Sequence, residues 1–204
     1  MFSKMEELNK SNYGYLELYL GPMFSGKTTQ LIRIHESYTY IGKKVAVINY
    51  IEDTRYHDSL LSSHDKKMIP CIFSKTLGEL WYSDNNTENN IRNADIILIN
   101  EGQFFNDLFD VVIDMVDVHS KKVYICGLDG DFTRKKFGQI VDLIPYCDKL
   151  TKLHALCAIC KNGREGIFSH RISNEVNQVV IGSDNYIPLC RTCYIRETDA
   201  LNVF

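Results

Sequence analysis

LELYLGPMFSGKTT, residues Leu16 to Thr29, joins a strand-like apolar run to a segment of helical spacing through a turn bounded by two glycines. Gly21-Pro22-Met23-Phe24-Ser25-Gly26-Lys27-Thr28 has the form G-x-x-x-x-G-K-S/T. Glycines at those positions let backbone N–H groups turn toward a bound phosphate. Lys27 adds a point charge beside the outer phosphates, and the Thr28 hydroxyl is suited to Mg²⁺. The helix that follows points its positive end at the same anion. Apolar residues Leu31, Ile34, Tyr38 and Ile41 keep one face of a helix over Thr28–Ile41, and Gly42 supplies the stop.

A second stretch, ILINEGQFF (Ile97 to Phe105), places a carboxylate at the end of a buried strand expected to neighbour the phosphate-loop strand. Glu101 there could take a proton from a hydroxyl that attacks a terminal phosphate, since phosphoryl transfer needs little beyond positioning, a base and charge neutralisation. Phe104 and Phe105 suit the wall of a ring-binding pocket. Asn100 occupies the strand-tip position where phosphate-loop enzymes usually carry an aspartate for the metal. Its amide keeps an oxygen acceptor without the charge, enough to hold a water of hydrated Mg²⁺.

Further strands are expected at Val45–Ile51, Asp95–Ile99 and Val123–Gly127, with helical spacing at Leu108, Val111, Met115 and Val118. Ile69–Phe73 reads as another strand and Leu77–Tyr82 as a short helix. Glu52–Lys67 reads as a long loop, and SDNNTENN (Ser83 to Asn90) as a polar insertion. Alternating strands and helices imply an α/β fold: a P-loop parallel sheet flanked by helices, with ligands beyond the carboxyl ends of the strands. The pattern changes near Lys149–Thr151. The expected organisation is therefore a flexible N-terminal tail over 1–14, a nucleotide-binding α/β domain over 15–150 and a small C-terminal metal-bound domain over 151–204.

That last domain rests on cysteines. Cys157-Ala-Ile-Cys160 and Cys190-Arg-Thr-Cys193 are separated by 29 residues. Four thiolates complete a tetrahedral Zn²⁺ shell with no open position, which describes a structural site. Such a site would tie down a long loop able to act as a lid. Cys71, Cys126 and Cys147 lie among apolar residues and read as small buried hydrophobes. The six histidines show no metal-ligand pairing on a helix.

Bulk properties narrow the class. A net charge of −3 gives no strong pull toward nucleic acid or anionic membrane. No apolar run approaches the ~20 residues of a membrane span, and the polar N-terminus lacks a signal-peptide core. An odd cysteine number and this polar start point to the cytoplasm.

Taken together, LGPMFSGKTT, DTRY (Asp53–Tyr56), SHD (Ser63–Asp65), EGQFF, GLDGDFTRKKFG (Gly127–Gly138), LIPYCDKLTKLHALCAIC (Leu143–Cys160), FSHR (Phe168–Arg171) and IGSDNYIPLCRTCY (Ile181–Tyr194) resemble the thymidine kinases of the cellular and poxvirus type, with their zinc-bound lasso. The resemblance spans roughly Leu18 to Tyr194. It implies transfer of the ATP γ-phosphate to the 5′-hydroxyl of thymidine, or of deoxyuridine, with Mg²⁺ and a structural Zn²⁺. Glu101 matches the catalytic base. Lys27, Thr28, Asp53, Arg55 and Gln103 fall with the residues around the phosphates. Met23, Phe105, Leu128, Phe132, Ser169 and Tyr186 match nucleoside-pocket residues, with Phe105 preferred over Phe104. The lasso run Val179, Val180, Ile181 and Gly182 matches main chain that hydrogen-bonds the base. A homotetramer and feedback by dTTP are further expectations of the family.

Departures are Asn100, Asp131 where threonine is common, Lys136 where proline is usual, a single glycine at Gly182, and the SDNNTENN loop. One lost and one gained carboxylate raise the idea that Asp131 restores charge near the phosphates. Two readings of other classes compete: a nucleotide-binding regulator with impaired Mg²⁺ use, and a zinc-ribbon nucleic-acid protein with an ATPase domain. Intact Lys27 and Glu101 oppose the first, and the acidic balance opposes the second.

Overall fold

The computed structural model describes residues 13–52, 60–62, 67–83, 91–180 and 184–201. Most of the expected tail over 1–14, the DTRY and SHD stretches and most of SDNNTENN lie outside these residues, as do Ile181 and Gly182.

Six parallel strands form the central sheet: β1 (Tyr15–Leu20), β2 (Val45–Tyr50), β5 (Ile72–Ser74), β6 (Ile96–Ile99), β7 (Lys122–Gly127) and β8 (Lys149–Lys152), in the order β5-β2-β6-β7-β1-β8. Side chains alternate across each strand. Leu16, Leu18, Leu20, Ile97, Ile99 and Ile125 enter the core on one face; Tyr19, Ile96, Leu98, Tyr124 and Cys126 enter the core on the other. Helix α1 (Lys27–Tyr40) covers the second face through Leu31, Ile32 and Ile34. The first face is covered by α2 (Gly78–Trp81), by α3 (Leu108–Ile113) and by a 3₁₀ segment, Ile140–Tyr146. Central strands covered on both faces explain why the strand cores read as unbroken apolar runs.

Several expectations shift. β6 does not neighbour β1; β7 lies between them. Ile41 falls just past α1 and is 62% exposed, while Ile32 takes its share of the core. The second helix changes into a π-turn at Asp114–Val118, which breaks the 3.6-residue phase and leaves Val118 facing solvent. β3 (Leu60–Ser62) forms inside the expected long loop and pairs antiparallel with β4 (Met68–Pro70), while the expected strand Ile69–Phe73 divides between β4 and β5. The expected boundary near Lys149–Thr151 falls on β8, which pairs with β1 through Lys152.

Beyond β8 the chain forms two small antiparallel pairs. One is β9 (Ala155–Leu156) with β10 (Glu165–Gly166), and the other is β11 (Phe168–Arg171) with β12 (Tyr186–Leu189); α4 (Arg191–Leu201) follows. Among the described residues no helix is long and apolar enough to cross a membrane.

Candidate active site

The phosphate loop leaves β1 at the carboxyl edge of the sheet. A side chain at Gly21 would place its Cβ 2.5 Å from Leu153 O, so the loop can pass there only as glycine. Gly26, at φ +82°, turns the chain into α1 in a conformation that costs L-residues energy. Pro22 O accepts Ser25 Oγ at 2.8 Å and Lys27 Nζ at 2.7 Å, which folds the buried lysine back under the loop. Met23 through Thr28 line a cavity; Gly21 and Pro22 do not.

Asn100 directly follows β6 and is buried. Its Nδ2 donates to Asn49 Oδ1 at 2.8 Å. Its Oδ1 accepts from the Cys126 thiol at 3.0 Å and lies 3.5 Å from Thr28 Oγ1. The metal-position pair therefore meets across the tip of β7 even though β6 and β1 are not adjacent. Cys126 is buried as expected yet donates a polar contact; Cys71 and Cys147 are only half-buried. Two neutral oxygens near the phosphate cradle fit a hydrated Mg²⁺, which keeps most of its waters.

Glu101 follows in the left-handed region, at φ +53° and ψ +44°. Such a conformation costs a non-glycine residue on the order of 1 kcal/mol and is kept where the surroundings determine it. Here the carboxylate is held: Gln103 Nε2 donates to Glu101 Oε2 at 2.6 Å, and Gln103 Oε1 accepts Leu128 N at 2.9 Å. Gln103 lines the cavity, but both ends of its amide are engaged in this brace.

The aromatic wall differs from expectation at one residue. Phe105 is fully buried in the core and does not line the cavity; Phe104 does. Gly102–Phe104 form a 3₁₀ turn, in which successive side chains point about 120° apart. One phenylalanine therefore faces the cavity and the next faces the core. Phe104 packs with Tyr50 at 5.2 Å and edge-on to Phe137 at 5.5 Å, and all three reach the cavity. Phe137 was missed because nothing in the spacing of its loop marks it. Leu128 and Phe132 line the cavity as expected.

The opposite wall comes from the C-terminal segment. Ser169, Val179, Val180 and Tyr186 reach the cavity with Met23. Ser169 Oγ accepts Met23 N at 3.0 Å, tying β11 to the phosphate loop. Arg171 is the organiser that sequence reasoning missed. It is 3% exposed, and its guanidinium donates to the carbonyls of Glu175, Asn177 and Gln178 and to Tyr186 Oη while stacking 3.8 Å over Phe132. Tyr186 Oη in turn donates to Val180 O at 3.2 Å. Asp131 lines the same cavity, and both of its oxygens are engaged. Its Oδ1 accepts from Thr133 N, Thr133 Oγ1 and Lys135 N, and its Oδ2 from Gln178 Nε2. Asp53, Arg55, Ile181 and Gly182 lie outside the described residues.

Cys157, Cys160, Cys190 and Cys193 converge with their sulfurs all within 4.8 Å of one another. Tetrahedral Zn–S bonds of about 2.3 Å place sulfurs about 3.8 Å apart, so the donor set fits Zn²⁺. Burial opposes ionisation of Cys157, but backbone donors at Cys190, Cys160 and Ile159 outweigh it and bring the thiol to about 6. The cluster sits between β9 and the start of α4, at the base of the segment that walls the cavity.

The family model described as thymidine kinase matches residues 14–194. The thymidine kinase of sheeppox virus is 38% identical over 187 residues, covering 91% of this chain and 99% of that protein. Thymidine kinase 1 of Dictyostelium discoideum is 39% identical over 190 residues, covering 89% of this chain and 78% of that protein. Thymidine kinase a of Arabidopsis thaliana is 35% identical over 192 residues, covering 94% and 79%.

Proposed function

The chain belongs to the thymidine kinase family, and we propose that it transfers the γ-phosphate of ATP to the 5′-hydroxyl of thymidine, giving thymidine monophosphate for DNA precursor synthesis. Deoxyuridine is the expected second acceptor. The observation that carries this reading is one cavity that joins a phosphate cradle, a braced carboxylate and an apolar, ring-sized wall.

In this reading the loop N–H groups and Lys27 cradle the phosphates, with Lys27 leaving Pro22 O for the nucleotide. Asp53 and Arg55 are assigned to the transferred phosphate by the family resemblance. Thr28 and Asn100 would hold hydrated Mg²⁺, which would supply charge neutralisation. Glu101 takes the proton of the 5′-hydroxyl as that oxygen bonds to phosphorus, and ADP leaves. Gln103 orients Glu101. Phe104, Phe137, Leu128 and Phe132 shelter the nucleoside, Met23 and Tyr186 meet the base, Ser169 stands near its edge, and main chain over Val179–Gly182 recognises it. Cys157, Cys160, Cys190 and Cys193 would hold a structural Zn²⁺ that anchors the lasso. The enzyme works as a homotetramer in the cytoplasm, with dTTP as feedback ligand.

The test is incubation with ATP·Mg²⁺ and thymidine, deoxyuridine or deoxycytidine, reading nucleoside monophosphate. Thymidine monophosphate from the wild type, and a loss of 10²-fold or more in kcat for Glu101→Gln, is the expected pair. Nucleotide binding without product would replace this reading with a regulator, and hydrolysis stimulated by DNA or RNA with a nucleic-acid ATPase.

A further inference from the structure

Asp131 and Gln178 come from different parts of the chain and meet at the cavity rim. Asp131 sits in the turn after β7, closed by the Gly130–Lys136 bridge and by Asp131 N donating to Lys135 O at 2.9 Å. Asp131 is buried, 7% exposed. One oxygen is spent inside the turn; the other reaches out to Gln178 Nε2 at 2.8 Å. Gln178 directly precedes Val179 and Val180, which wall the cavity.

The contacts close a ring. Gln178 O accepts Arg171 Nη2 at 3.0 Å, Arg171 stacks on Phe132, and Phe132 is the next residue after Asp131. Arg171 therefore holds the main chain of the lasso segment from behind, and Asp131 holds its side chain from the cavity side. A threonine at 131 has a single hydroxyl oxygen. That oxygen accepts at most two hydrogen bonds, whereas the carboxylate here takes three donors inside the turn and Gln178 outside it.

We propose that Asp131 is a positioning residue that clasps the lasso segment 178–180 over the cavity through Gln178, and so sets nucleoside affinity while leaving phosphoryl transfer alone. The kinetic half of this rests on the kinase reading above; the clasp itself is a property of the ligand-free protein.

The experiment has two arms. Backbone amide exchange over residues 178–180 is measured without ligand, and KM and kcat for thymidine are measured at saturating ATP·Mg²⁺. Gln178→Glu sets two carboxylates against each other on an exposed side chain, so folding is not at stake. It is expected to speed exchange and raise KM, each by about fivefold, the worth of one screened hydrogen bond, with kcat within about twofold. Asp131→Thr should act in the same direction. The double variant Gln178→Glu with Asp131→Asn restores a donor–acceptor pair and is expected to return both readouts to within about twofold of wild type. Unchanged exchange and KM in Gln178→Glu, or no rescue in the double variant, overturns the clasp. A fall in kcat at constant KM overturns the positioning role. A wild type that makes no thymidine monophosphate refutes the kinase reading instead, and the exchange arm still decides the clasp.

Discussion

Gln103 donates Nε2 to Glu101 Oε2 at 2.6 Å while its Oε1 takes Leu128 N, so one amide fixes the carboxylate to the end of β7. Glu101 is held in a left-handed backbone conformation at the same point. A carboxylate aimed by its neighbour has little freedom to turn away.

Removing that amide should therefore cost turnover more than binding. Gln103→Ala is expected to lower kcat by about tenfold, the usual size for one charge-assisted hydrogen bond, with a smaller change in nucleoside KM. Steady-state kinetics with thymidine at saturating ATP·Mg²⁺ measures both. An unchanged kcat would mean that the brace has no part in aiming Glu101.

Asn100 is bound to Asn49 through its Nδ2 and to Cys126 through its Oδ1. Asn100→Asp keeps the oxygen that accepts from Cys126 and adds one negative charge beside Thr28. The Mg²⁺ concentration for half-maximal rate is expected to fall about threefold to tenfold, given the pull of an added carboxylate in a partly shielded site. A titration of rate against free Mg²⁺ that shows no shift would remove Asn100 from the metal site.

The cysteine cluster anchors the base of the lasso, and its loss should propagate to the cavity. Cys193→Ser is expected to lower Tm by about 5 to 10 °C, corresponding to a loss of a few kcal/mol in a chain of this size. Nucleoside KM should rise as Tyr186 and the segment behind it lose their support. Metal content measured on the purified protein should drop in parallel. A variant that retains zinc and its melting temperature would count against a four-thiolate site.

Glu17 gives a pH-dependent contribution to stability. It lies in β1, 4% exposed, accepting Tyr15 Oη at 2.8 Å and paired with Lys149 Nζ of β8 at 2.7 Å. Burial pushes its carboxyl up, but donation from Lys149, Tyr19 and Tyr15 outweighs this and holds it below its ordinary value. A depressed folded-state value stabilises the fold above the unfolded value and is lost as pH falls through the folded one. Glu17→Gln should thus cost about 1 kcal/mol at pH 7, small because Lys149 is more than half exposed. The difference from wild type should shrink below about pH 4. Urea unfolding of both proteins across pH 3 to 7 checks this, and a gap that widens with acid would reverse the assignment.

The phosphate loop, Glu101 and the four cysteines were legible in the chain because each depends on residue type at short spacing. Glycine, lysine and threonine in one octet have few uses other than a phosphate cradle, and two C-x-x-C pairs supply a complete tetrahedral shell. The apolar runs of β1, β6 and β7 were legible for the same reason: burial on both faces leaves only apolar side chains.

The choice between Phe104 and Phe105 was not legible. It depends on a 3₁₀ turn whose direction is set by Glu101 in the left-handed region and by Gly102 packed under Ile125 and Ile140. The exposure of Val118 depended likewise on a π-turn that shifts the helix phase. Neither turn has a distinctive composition.

The sequence by itself determined the groups this protein can offer: a phosphate-loop motif, a carboxylate after a buried strand, four cysteines able to hold a metal and a sheet to carry them. Only the tertiary structure decided how these meet. It put β7 between β6 and β1 yet brought Asn100 Oδ1 within 3.5 Å of Thr28 Oγ1, set Gln103 against Glu101, and joined Asp131 to Gln178 across 47 residues of chain. Local spacing encodes residues that act within one turn or loop. Contacts between distant segments follow from strand order and packing, and no short run of residues records them.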